Sequence, residues 1–189
     1  MVKNIYLIRH GQSTFNALYD LNAKDPLHFD AGLSDTGFQQ AREASKAAIG
    51  LGVELIVTSP LRRALETTLT LFGGLPVPIL VSSLHREKLA NSCDVGTPTP
   101  ALAKTFPGLD FSHLDDIWWH DGEKDTRGVS IEPESVYQAR ITEFSQWIST
   151  RSENSIAVVG HRTFFHHLAG HRLENCEIRA KQDCYVTKI

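Results

Sequence analysis

Residues 3–16 read KNIYLIRHGQSTFN. The apolar run at 5–8 lacks the polar alternation of a half-exposed strand and therefore reads as a strand buried on both faces. It stops abruptly at Arg9-His10-Gly11, followed by polar residues. A permanent cation, an imidazole and a flexible backbone position thus sit at the carboxyl end of a core strand, where open α/β sheets place their ligand sites. The tripeptide by itself also fits a strand that runs into an ordinary polar turn. The rest of the chain decides between the two.

Further strands are expected at 53–57, 77–81 and 156–159, with an edge strand at 185–189. Helices are expected at 35–49, 60–72, 134–151 and 163–170. Ser34 caps the first helix, and Ala41, Ala44, Ala48 and Ile49 give it a small-residue packing face. Ser59 and Pro60 suit the start of the second, and Gly73-Gly74 stops it. Its neighbours Arg62 and Arg63 project about 100° apart and cannot share one role. Pro133 opens the third, on which Val136, Arg140, Ile141, Phe144, Trp147 and Ile148 recur at helical spacing. Residues 17–33 read as loop. Strands alternating with helices indicate a three-layer α/β/α sandwich with a mostly parallel central sheet and an antiparallel edge strand. One domain, 1–189, is expected. Its insertion at 88–132 carries short helices and forms part of a pocket wall, because so long a stretch without periodicity is usually functional.

The chain has 189 residues, 41% of them apolar and 22% charged, enough for one substantial core. A net charge of −3 and the lack of a basic run argue against nucleic-acid binding. No apolar run nears the roughly 20 residues that span a bilayer, and no leader pattern precedes the first strand. Cys93, Cys176 and Cys184 are odd in number and lack CxxC spacing; Cys176 and Cys184 could pair, but free thiols are expected. A soluble, cytoplasmic protein with no membrane partner is the expectation.

Four strand ends carry Arg9-His10, Arg63, Glu87 and His161, and a parallel sheet brings such ends to one edge. Two imidazoles, two guanidiniums and a carboxyl group suit the holding and transfer of a phosphoryl group. Guanidiniums bind phosphate oxygens through paired, charge-assisted hydrogen bonds. An imidazole nitrogen can be the nucleophile, the remaining cations can stabilise charge on the equatorial oxygens, and a carboxylic acid can protonate the leaving alcohol. This chemistry needs no metal and no cofactor.

These motifs resemble the histidine phosphatase superfamily, the group that includes cofactor-dependent phosphoglycerate mutase and fructose-2,6-bisphosphatase. RHGQSTFN at 9–16, DAGLSDTGFQQA at 30–41, TSPLRRALETT at 58–68, LHREKLANSCDVG at 84–96 and VVGH at 158–161 follow the family order over most of the chain. The resemblance implies that His10 is the phosphorylated nucleophile and that Arg9, Arg63 and His161 bind the phosphoryl group. It also implies that Asn16 contributes its amide and that Glu87 donates the proton, with Asp94 a rival donor. Gln12 stands where the family often has Glu, and Arg162 where Gly is frequent, so Arg162 adds a rim cation for substrate.

The segment LANSCDVGTPTPALAKTFPGLDFSHLDDIWW at 89–119 is shorter than its mutase counterpart and resembles small fungal and plant phosphatases of broad specificity. The reading is a metal-independent phosphomonoesterase for small phosphorylated metabolites. The alternatives are a mutase or fructose-2,6-bisphosphatase-like activity, or a non-catalytic phosphate-binding module. Asp110, Asp115, Asp116 and Asp121 make the insertion acidic, which disfavours a second phosphate; Arg86, Lys88, Lys124 and Arg127 counter it. Neither GxSxG nor GxxxxGK[ST] occurs. His166, His167 and His171 lack the partners of a zinc site and read as helix-lining residues. Trp118 and Trp119 read as packing of the insertion onto the core. A homodimer through an edge strand is open.

Overall fold

The structure is a computed structural model that describes residues 3–22 and 24–181. Strand β1 (Asn4–Arg9) leads to α1 (Thr14–Asn22) and α2 (Asp35–Ile49). Then come β2 (Leu55–Thr58), α3 (Arg62–Phe72) and β3 (Ile79–Val81). A winding segment follows, with 3-10 turns at Ser83–His85 and Ser92–Asp94 and a short helix α4 (Thr99–Thr105). The chain closes through α5 (Glu134–Thr150), β4 (Ser155–Gly160), α6 (Arg162–Ala169) and β5 (Ile178–Ala180).

The sheet order is β3-β2-β4-β1-β5. All pairs are parallel except β1 with β5. The expected sandwich and its antiparallel edge strand are present, although that strand is β5; residues 185–189 lie outside the described residues. Each central strand faces two helical layers because successive side chains alternate. Leu7, Val57 and Val158 pack with Phe144, Phe164 and Phe165 of α5 and α6. Ile8, Ile56 and Val159 pack with Ala41 and Ala48 of α2 and with Ala64 and Leu71 of α3. Truncating one of these buried rings to alanine costs about 3–5 kcal/mol.

Several local expectations change. Helix α1 replaces the start of the expected loop: Ser13 Oγ accepts the Asn16 N–H while Asn16 Oδ1 accepts the Ser13 N–H, both at 3.1 Å, a reciprocal cap. Helix α3 starts at Arg62, not Pro60, and its first N–H donates to Asp30 Oδ1 at 2.8 Å. On α5 it is Tyr137 that is fully buried, while Val136 is 42% exposed. The insertion has the expected helical character in α4. Trp118 is buried, donates to Thr97 O at 2.9 Å and packs on Leu61, Leu65 and Val81. Cys93 and Cys176 are buried free thiols; Cys184 lies outside the described residues.

Candidate active site

The sheet register puts Arg9 beside Gly160, and Thr58 beside both Val159 and Val81. His10 N–H donates to Gly160 O at 3.0 Å and Ser59 N–H to Val159 O at 3.2 Å, so the residues just past the ladder stay in register. A cleft of about 470 Å³ opens on this edge. Arg9, His10, Asn16, Arg63, Glu87 and Arg162 all line it. His161 does not; it is fully buried, with its ring centroid 5.3 Å from that of His10.

The turn carrying His10 is held by close backbone approach. A side chain on Gly11 would meet Gly37 O at 2.6 Å, and one on Gly37 would meet Gln12 O at 2.0 Å. Both positions must be glycine for the start of α2 to lie against this turn. Gln12 is absent from the cleft lining, and its Oε1 accepts from Ser34 Oγ at 2.8 Å.

His10 Nδ1 lies 2.7 Å from Gly11 O. A carbonyl only accepts, so the proton is on Nδ1 and Nε2 keeps its lone pair. Arg63 Nε donates to that Nε2 at 3.3 Å. Burial, then Arg63 and Arg9, hold the His10 pKa well below its usual value. Arg63 is itself fixed: Nη1 donates to Cys93 O at 2.6 Å and Nη2 to Asp94 Oδ1 at 2.9 Å. Asp94 Oδ2 takes the Asn91 N–H at 3.1 Å. Asp94, the rival donor, is thus an ion-pair partner of Arg63. His161 Nε2 sits 2.8 Å from Ser59 Oγ, the hydroxyl expected to cap α3. Burial, then Arg63, holds the pKa of this second imidazole well below its usual value as well.

Glu87 lines the same cleft. Its Oε2 accepts from Thr163 N–H at 3.0 Å and its Oε1 from Phe164 N–H at 3.1 Å, so it caps the N-terminus of α6. Burial and the nearby Asp94 raise its pKa above the usual carboxylate range, against the pull of those amides and Arg63. Its segment is anchored by a buried carboxylate. Glu132 takes Arg86 Nη2 at 2.9 Å and Arg140 Nη2 at 2.7 Å, and Arg140 Nη1 donates to Leu84 O and Arg86 O at 2.8 Å. Residues 84–87 are thereby fastened to α5.

The rim differs from expectation. Arg162 is there, but its guanidinium faces Glu174 at 3.7 Å. None of Asp110, Asp115, Asp116 and Asp121 lines the cleft, and of the four counter-cations only Lys88 does. Trp118 and Trp119 are absent from it too. His167 packs edge-on against Tyr137. Ser13, Ser59, Glu174 and Asn175 were missed; Asn175 Nδ2 donates to His10 O at 2.8 Å. The Ser13–Asn16 spacing of a capping pair was the one signal available for Ser13.

The chain matches the histidine phosphatase superfamily (branch 1) over residues 5–186. It belongs to that superfamily. A phosphoglycerate mutase-like protein 1 of Arabidopsis thaliana is 27% identical, over 96% of this chain and 76% of the relative. A Schizosaccharomyces pombe protein named as a phosphatase is 32% identical, over 84% of this chain and 74% of its own. Among solved structures, a mycobacterial glucosyl-3-phosphoglycerate phosphatase with VO3 superposes at a TM-score of 0.61 with 19% identity, covering 95% of this chain and 92% of that one. The family and the fold are therefore those that the strand order and motifs lead to expect.

Proposed function

We propose that this chain hydrolyses small phosphomonoesters through a phosphohistidine on His10. The enzyme class supported by the superfamily and the phosphatase-named S. pombe relative is a phosphoric monoester hydrolase. The observation that carries the finer reading is the tautomer of His10: Nδ1–H is spent on Gly11 O, and the Nε2 lone pair faces the cleft cations.

In the first step Nε2 forms a bond to phosphorus while the ester P–O bond breaks, and the departing alkoxide takes the Glu87 proton. In the second, water adds to phosphorus and gives a proton to Glu87 as the P–N bond breaks, releasing phosphate and restoring both groups. Arg9, Arg63, His161 and the Asn16 amide bind the phosphoryl oxygens. His161 has Nε2 engaged by Ser59, which leaves Nδ1, buried and without a partner, for this task. Arg9 Nε is likewise buried without a partner, as a group awaiting an anion would be.

The test is phosphate release from a phosphomonoester panel with EDTA present, together with trapping of labelled enzyme by a denaturing alkaline quench. Release with a base-stable, acid-labile label on His10 supports the reading. Release without that label refutes the covalent route, and isomerisation of 3-phosphoglycerate outpacing release would make the chain a mutase.

A further inference from the structure

We propose that Glu174 sets the charge selectivity of the cleft, admitting phosphomonoesters with an uncharged leaving group and rejecting those that carry a second anionic group. This rests on the hydrolase reading above and names its substrate class. The cleft-lining cations divide into two kinds. Arg63 is paired with Asp94 and Lys88 with Glu134. Arg9 and Arg162 share the single carboxylate of Glu174, at 3.8 and 3.7 Å, and Arg9 also keeps a buried Nε without a partner. The unmatched positive potential therefore lies beside His10 and suits one phosphoryl group. A second anion would have to displace or approach the Glu174 carboxylate.

The backbone under Glu174 is pinned to the nucleophile strand. Arg9 Nη1 donates to Leu173 O at 3.1 Å, Cys176 N–H to Arg9 O at 3.0 Å, and Asn175 Nδ2 to His10 O. Glu174 N–H donates to Glu177 Oε2 at 2.8 Å. Its charge stays at the mouth even though its side chain is 74% exposed. Phe15 and Tyr19 also line the cleft and stack with centroids 5.5 Å apart, adding apolar surface without charge. The exclusion of a second phosphate, expected from the acidic insertion, thus falls to one residue beyond α6.

The experiment compares sn-glycerol 3-phosphate with 3-phosphoglycerate, which differ by a hydroxymethyl against a carboxylate. The ratio of kcat/KM for the anionic to the neutral substrate should rise about fivefold in Glu174→Gln, as expected for one unit charge at a partly solvated distance, and further in Glu174→Lys. An unchanged ratio in both variants, with the two substrates moving in step, would overturn the proposal. If wild-type protein turns over neither compound nor any other phosphomonoester of the panel, the hydrolase reading fails instead. Calorimetric titration of the same two ligands into wild type and Glu174→Gln then decides selectivity from the ratio of dissociation constants.

Discussion

On the floor of the cleft His10, Arg63 and Asp94 are each no more than 4% exposed and joined by hydrogen bonds of 2.9–3.3 Å, whereas at the rim Arg162 and Glu174 are 48% and 74% exposed and meet at 3.7 Å. Breaking a buried pair leaves an uncompensated charge and costs about 3–5 kcal/mol. Breaking a solvated one costs about 0–1 kcal/mol. On the proposed reading, the residues assigned to chemistry sit where any change is expensive and the residue assigned to selectivity where change is cheap.

The largest effect should come from the floor. His10→Ala is expected to lower kcat about 10⁴-fold or more and to abolish the acid-labile label, with the circular dichroism spectrum intact. Retained turnover would move the nucleophile elsewhere. Glu87→Gln should cost about 10²–10⁴-fold in kcat for alkyl phosphates but far less for p-nitrophenyl phosphate, whose leaving group needs little protonation. Equal losses on both would make Glu87 a cap of α6 only. Because its pKa is raised and that of His10 is held well below normal, wild-type kcat/KM should be highest in mild acid and fall as rising pH deprotonates Glu87. A profile still climbing above neutrality would contradict this.

Next in size is support of the floor. Glu132→Gln leaves two buried guanidiniums without a counter-charge and should lower unfolding free energy by about 3–5 kcal/mol in urea titrations. Buried histidines add a pH term. The folded pKa of His85 is lowered from 6.5 to about 3, so below about pH 6.5 the unfolded chain binds a proton that the native chain refuses. Stability then falls as pH falls, by about 1.4 kcal/mol per unit for each such histidine, until the folded pKa is reached. His85→Gln should flatten this slope between pH 6.5 and 4. An unaltered slope would assign it to other groups. The smallest effect belongs to the rim, where Arg162→Ala should change KM less than about fivefold. A hundredfold loss would erase the distinction between floor and rim.

The legible parts of the sequence were those with local signals. Apolar runs without alternation marked β1 and β4, and the residues just past them, Arg9, His10 and His161, lay where a parallel sheet had to gather them. Glu87 and Arg63 could be placed because each follows a strand closely. The network of Arg86, Glu132 and Arg140 is not legible in the sequence, since its members are separated by up to 54 positions and nothing local pairs them, although the helical spacing does put Arg140 on the packing stripe of α5. The same holds for Glu174, which owes its place to hydrogen bonds with β1 made across the whole length of the chain. Val136 is the more apolar of two adjacent residues on α5, yet the phase of the helix turns Tyr137 inward, where its ring meets Phe164. The capping role given to Ser59 went to Asp30, a residue 32 positions away that no helix-start rule could reach.

The strand order has a consequence for how such a chain comes into being. β2 and β3 are neighbours in sequence and in the sheet, but β1 touches only β4 and β5. A nascent chain that has grown through α5 already contains His10, Arg63 and Glu87, yet its first strand has nothing to pair with. Contacts of such sequence separation form slowly because loop closure must come first. During synthesis the apolar strand β1 waits for residues 155–180, so the turn carrying His10 takes its place only after β4 and β5 have been made.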